Sequence, residues 1–261
     1  MSNTPIVRMS GLSKQYRTDA GDVVQALSNV DLNVRDGEFL VLIGPTGCGK
    51  TTLLNIMAGL DHQDSGTLTR DPELKPGVNM PCVFQHYTLF PWRSLLRNVT
   101  FGLQMRGTPR TSRHEAARQL LHKVGLAGFE EAYPHELSGG MRQRAAVAQA
   151  LAVGPRLLFM DEPFGAVDDS TRGELQRMIS QLWMESPITI LLVTHSIDEA
   201  VTLADRIMVL SDRPGRITQE IPVDMPRPRD PESREYIELF VEVREAVSRK
   251  ADSPEPHTTK P

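Results

Sequence analysis

A chain of 261 residues, 39% hydrophobic and 24% charged, can bury a sizeable core, which excludes wholesale disorder. Its 29 Lys and Arg stand against 33 Asp and Glu, a net charge of -4, so no broad basic field is present to collect a nucleic-acid backbone. The longest apolar runs, FLVLI and ILLV, are too short to cross a bilayer, and MSNTPIVRMS lacks a signal-peptide core. Cys48 and Cys82 have no metal-like spacing, and a thiol in a glycine-rich loop suits a reducing interior, so a cytoplasmic location is expected.

Taken in chain order, the first forty residues alternate like a small antiparallel sheet. Phe39 to Ile43 is the first of four short Val/Ile/Leu-rich runs, with Leu157 to Met160, Thr189 to Val193 and Ile207 to Leu210, that read as buried strands of a mainly parallel sheet. Between about Trp92 and Ala152 helical patterns occur without a convincing strand, which suggests a helical subdomain inserted into an α/β core. Within it Ser112 and Glu115 form an S-x-x-E capping box ahead of Ala116, Leu120 and Val124. Leu175, Met178, Ile179 and Leu182 mark a later amphipathic helix. From about Ser248 the Pro, Ser and charge content reads as a disordered tail, 248–261, beyond a folded domain at 1–247.

Directly after FLVLI comes GPTGCGKTT, followed by the helical run LLNIMA closed by Gly59. Gly44, Gly47 and Gly49 let the backbone curl through Pro45, Thr46 and Cys48, so that N–H groups face a phosphate at the helix start. Lys50 supplies a cation, Thr51 a hydroxyl for Mg²⁺, and Thr52 extends the helix start. The same surroundings should favour a Cys48 thiolate, open to alkylation that ATP suppresses.

The run Leu157 to Met160 delivers Asp161 and Glu162 at a strand's carboxyl end, where ligands of open α/β sheets bind. Asp161 can hold Mg²⁺ through its water shell and leave Glu162 as general base for an attacking water. A DE pair alone is as readily a solvated strand end; the phosphate loop tips the reading toward function. His195 ends the next strand within reach of a γ-phosphate, and Gln85, after Cys82 to Phe84, can reach the metal or the water through its amide. Finally, Leu137, Ser138, Gly139, Gly140 and Met141 open the helical run RQRAAVAQAL, a second helix start fit to bind an anion. Two such starts in one chain are explained if two copies face each other head to tail with ATP between them.

With these motifs in this order the chain resembles the ATP-binding cassette (ABC) family: LSGGM stands for its signature, Gln85 for its Q-loop, Asp168 in GAVDD for its D-loop and His195 for its switch histidine. The resemblance covers about Ile6 to Ile217 and implies a P-loop NTPase (RecA-like) core, with Tyr16 matching the aromatic position that stacks on adenine. Met141, Gln149 and Gly165 stand where relatives have Gln, Arg and Ser. FQHYTLFPWRSLLRNVTFGL and LSDRPGRI are similar to nitrate, sulfonate and taurine importer ATPases, and a chain that stops soon after RPGRI fits that shorter class. The resemblance implies ATP and Mg²⁺ as cofactors, a second ATPase subunit (a homodimer) and a multi-span membrane permease. It also implies an extracytoplasmic solute-binding protein, a peripheral place on the cytoplasmic face of the inner membrane, and no nucleic acid. The segment Tyr87 to Leu103 would then border a groove for a permease helix, with Phe90, Pro91 and Trp92, or be ordinary aromatic packing. Two rival readings remain: an ABC ATPase acting on nucleic acid or ribosomes, and a P-loop kinase or GTPase.

Overall fold

The computed structural model describes residues 5–19, 21–85, 89–165, 167–186 and 188–249. Tyr87 and all but the first two residues of the expected tail lie outside the described residues.

Along the chain β1 (Pro5–Arg17), β2 (Val23–Arg35) and β3 (Phe39–Ile43) lead into helix α1 (Lys50–Ala58), then β4 (Ser65–Arg70) and β5 (Cys82–Val83). Helices α2 (Leu95–Met105), α3 (Arg110–Lys123) and α4 (Gly139–Ala152) follow, with a 3-10 turn at Pro134–Glu136. The chain then alternates through β6 (Leu157–Asp161), α5 (Asp169–Met184), β7 (Thr189–Thr194), α6 (Ile197–Leu203) and β8 (Arg206–Leu210), and closes with β9 (Ile217–Pro222) and α7 (Arg234–Ser248).

Among the described residues these strands form two sheets, ordered β2-β1-β4 and β5-β6-β7-β3-β8-β9. The first is antiparallel, as its alternation requires. In the second β5, β6, β7, β3 and β8 run parallel, and only β9 is antiparallel to its neighbour. Every residue of β3, β6, β7 and β8 is buried, which is why these strands read as unbroken apolar runs.

The central sheet divides two cores. Phe39, Val41 and Ile43 face a cluster built with α2 to α7, whereas Leu40 and Leu42 face α1 and the antiparallel sheet. Successive side chains of a strand point to opposite faces, so one five-residue strand serves both.

The expected capping box at Ser112 is not formed. Helix α3 starts three residues earlier, with Pro109 at its cap, and the Ser112 hydroxyl instead donates to Pro109 O at 3.2 Å. Pro109 fixes its own φ near the helical value and has no N–H to leave unsatisfied, so it opens the helix without a side-chain cap. The buried stripe shifts accordingly to Ala117, Leu121 and Val124. Helix α7, unforeseen in the sequence, packs on α6, where the Tyr236 hydroxyl donates to Asp198 Oδ1 at 2.6 Å.

Candidate active site

Strand β3 ends at Ile43, and the chain curls through Gly44–Gly49 before α1 begins at Lys50. Gly49 caps α1 at φ 105° with no side-chain hydrogen bond, and a Cβ there would sit 2.8 Å from Ala26 O. Only glycine meets both conditions, and the first amides of the helix are left free to point outward. Lys50 is 5% exposed and its ammonium donates to Gly44 O (2.8 Å) and Pro45 O (2.9 Å), so it lies folded over the loop. A cavity of about 330 Å³ opens here, lined by Tyr16, Thr46, Lys50, Thr51, Thr52 and Glu162 among others. A helix start, a lysine and a cavity together are an arrangement that can hold a phosphate.

At the far wall Tyr16 is 40% exposed, and its hydroxyl donates to Asp61 Oδ2 at 2.6 Å. The Lys14 ammonium lies 5.1 Å from the ring centroid and donates to Asp61 Oδ1 at 2.9 Å. Burial alone would raise the Asp61 pKa, but the bonds from Tyr16 and Lys14 outweigh it and hold the carboxyl down at about 2. The ring is thus fixed at the cavity wall. Lys14 and Asp61 were not foreseen, because their pairing spans 47 residues of sequence.

Strand β6 brings Asp161 beneath the loop, where Thr51 Oγ1 donates to its Oδ1 at 3.1 Å. Burial pushes the Asp161 pKa up, opposed by the Thr51 bond and by Lys50. One hydroxyl and one carboxylate are hard oxygen donors, a set that fits Mg²⁺ completed by waters and phosphate oxygens. No cluster of three or more His, Cys, Asp or Glu that could hold a metal occurs among the described residues.

Glu162 follows with φ 46°, the left-handed region, which costs a non-glycine residue of order 1 kcal/mol. Its N–H donates to Val193 O at 2.9 Å, and its Oε2 lies 3.1 Å from His195 Nδ1. A second cavity of about 320 Å³ lies behind it, lined by Gln85, Glu162, Arg172, Thr194, His195 and Glu199. Glu162 therefore belongs to both cavities, and a water beside it meets a carboxylate positioned by an imidazole. Gln85 opens on the Glu162 side, where a Cβ on Gly165 would come within 3.1 Å of its Nε2. The missing side chain at Gly165 leaves that amide its room. Glu199, buried under the second cavity, accepts from Thr194 Oγ1; burial is the dominant influence and pushes its pKa up to about 7.

Ser138, Gly139, Gly140 and Asp168 lie elsewhere. Ser138 caps α4, accepting from Met141 N–H at 3.3 Å, and a Cβ on Gly140 would collide with Thr171 Cγ2. Asp168 caps α5, accepting from Thr171 N–H (3.0 Å), Thr171 Oγ1 (2.8 Å) and Ser170 Oγ (2.7 Å), which hold its carboxyl well below the usual range. Among the described residues none of these four lines either cavity. The two helix starts form one corner, joined through Thr171. Cys48 departs from expectation: it is buried, and burial pushes its thiol pKa up against the weaker pull of Lys50, so no thiolate is favoured.

On the surface of the helical insertion Trp92 is 71% exposed. Phe90 packs edge-on to Phe101 with centroids 5.0 Å apart, and the Arg93 guanidinium lies 4.8 Å from the Phe90 centroid. Buried Asn98 fixes this turn, accepting from Phe90 N–H (2.8 Å) and donating to Arg93 O (3.1 Å).

The family model described as ABC transporter matches residues 27–165. The chain is 42% identical to a nitrate import ATP-binding protein of Synechocystis sp., over 88% of this chain and 87% of that one. It is 44% identical to a taurine import ATP-binding protein of Yersinia pestis, over 83% and 84% respectively. Among solved structures it is similar to a dimeric ATP-binding cassette in a post-hydrolysis state bound to ADP and Pi, with a TM-score of 0.71, 30% identity, and coverage of 84% of this chain and 100% of that one.

Proposed function

We propose, on the premise that this chain belongs to the ABC transporter family and is an ATPase subunit of it, that it powers import of a small solute of the nitrate, sulfonate or taurine kind. The observation that carries the ATPase half is Glu162, held by His195 and shared between the phosphate-loop cavity and the cavity behind it. The solute class rests on the names of the nitrate and taurine relatives.

In this reading Lys50 leaves the Gly44 and Pro45 carbonyls for the β- and γ-phosphates, and the amides of the α1 start receive the phosphate oxygens. Thr51 and Asp161 would hold Mg²⁺, which neutralises charge on the phosphates. Glu162 takes a proton from water as its oxygen bonds the γ-phosphorus and the bond to the β-bridging oxygen breaks, giving ADP and phosphate. His195 holds the carboxylate in place, and Gln85 reads whether the γ-phosphate is present. The ring of Tyr16 receives the adenine. Ser138, Gly139 and Gly140 of a second copy close over the γ-phosphate, with Asp168 at the joint between copies. A multi-span permease docks near Trp92 and Phe90, so the subunit works peripherally at the cytoplasmic face of the membrane, and an external binding protein delivers the solute. No helix of the described residues is long and apolar enough to cross a membrane.

Glu162→Gln is expected to keep ATP binding and to slow hydrolysis by about two to four orders of magnitude. The same variant, tagged and purified from native membranes in mild detergent with ATP, should bring a multi-span permease with it. Stoichiometric recovery of soluble or nucleic-acid partners alone would remove transport from the reading.

A further inference from the structure

The turn Ser211–Arg216 after β8 lies within the run LSDRPGRI and supplies none of the site residues described above, yet it is fixed against the phosphate loop. Ser28 N–H donates to Gly215 O (3.0 Å) and Gly215 N–H to Ala26 O (2.9 Å), which ties the turn to β2. The Ser211 hydroxyl accepts from Arg216 N–H (3.0 Å) and donates to Pro214 O (3.1 Å), which ties it to itself. A Cβ on Gly215 would collide with Cys48 O, so the turn abuts the loop with no space between them.

From this wall Arg213 reaches over the loop. Its Nε donates to Gly47 O at 3.2 Å, and its Nη2 lies 3.3 Å from where a Cβ on Gly47 would stand. It lines the same cavity as Tyr16, Lys50 and Thr51. Among the described residues no carboxylate forms an ion pair with it, and its remaining N–H groups have no bonded acceptor. In the sheet order β7-β3-β8 the phosphate loop follows the middle strand; His195 follows the strand on one side and Arg213 the strand on the other.

We propose that Arg213 is a nucleotide-binding residue: with the polyphosphate in the cavity, its guanidinium, held by Gly47 O, donates its free N–H groups to a phosphate oxygen from the side away from His195. A planar cation with several donors suits a phosphate, and one donor already anchored reduces the freedom lost on binding. The inference rests on reading the cavity as the ATP site.

The test is the dissociation constant of ADP and of ATP for the full-length chain, as wild type, Arg213→Gln and Arg213→Lys, with melting temperatures of all three. Arg213→Gln should weaken ADP about tenfold, the size of one charge-assisted hydrogen bond, with melting unchanged and part of the affinity restored by Arg213→Lys. Wild-type ADP affinity in Arg213→Gln overturns the proposal. So does an affinity that falls only together with a lowered melting temperature and is not recovered by Lys, since Arg213 would then merely prop the turn. If the wild type itself binds neither nucleotide, the reading of the cavity fails, and this inference with it.

Discussion

Two helices of this protein begin on glycine-rich turns, and they begin in opposite ways. At α1 the cap is a glycine, no side chain occupies the first amides, and they open on a cavity beside a buried lysine. At α4 the cap is Ser138, whose hydroxyl already serves Met141 N–H, and Gly140 is pressed against Thr171 of α5. The first start carries a pocket within one chain. The second presents a polar edge that lines neither cavity, and in the proposed function it becomes a site only when a second copy is brought to it.

Lys50→Ala strikes the self-sufficient start and should have the largest effect, a loss of nucleotide affinity of about a hundredfold or more, since it removes the cation nearest the phosphates. A normal ATP isotherm by titration calorimetry would break the comparison at its stronger end. Gly140→Ala strikes the other start by driving a methyl group into Thr171. The expected cost is about 1–3 kcal/mol of stability from overpacking, and turnover is expected to drop while ADP affinity stays at the wild-type value. If ADP affinity falls with turnover, the two starts are not separate, and the contrast drawn above is lost.

The smallest effect concerns Glu199, on α6 at the second cavity. Its folded pKa of about 7 lies above the ordinary value of 4.5, so the folded chain binds the proton more tightly than the unfolded one. Its contribution is complete below pH 4.5 and is lost as the pH rises to about 7. Glu199→Gln removes that loss, so the gap in melting temperature between variant and wild type should widen in favour of the variant from pH 5 to pH 8. A gap that stays constant would show that Glu199 does not titrate in this range.

The parallel sheet and the phosphate loop were legible because their signals are local: four apolar runs, and a loop whose glycines, Lys50 and Thr51 are contiguous. Glu162 and His195 were legible as strand ends, but their 3.1 Å contact and the positive φ of Glu162 are properties of neighbouring strands that no spacing encodes. Local pattern also misled twice. Ser112 and Glu115 match a capping box, yet Pro109 opens the helix first. Cys48 has a lysine two residues away, yet its burial outweighs that charge. Arg213 sits 166 residues from Gly47, so only the fold could join them.

The way β3 is shared between two cores bears on how this sequence can drift. A strand with one solvated face can exchange half of its positions for polar residues without harm. The five residues Phe39–Ile43 have no such face, since each is fully buried and neighbours answer to different partners. A larger residue at Val41 must be absorbed by the helical half, and one at Leu42 by the nucleotide half, so no single compensating change repairs both. Substitutions that enlarge a side chain are therefore expected to be tolerated less in Phe39–Ile43 than on exposed loops and outer helix faces, because either core must repack to take them.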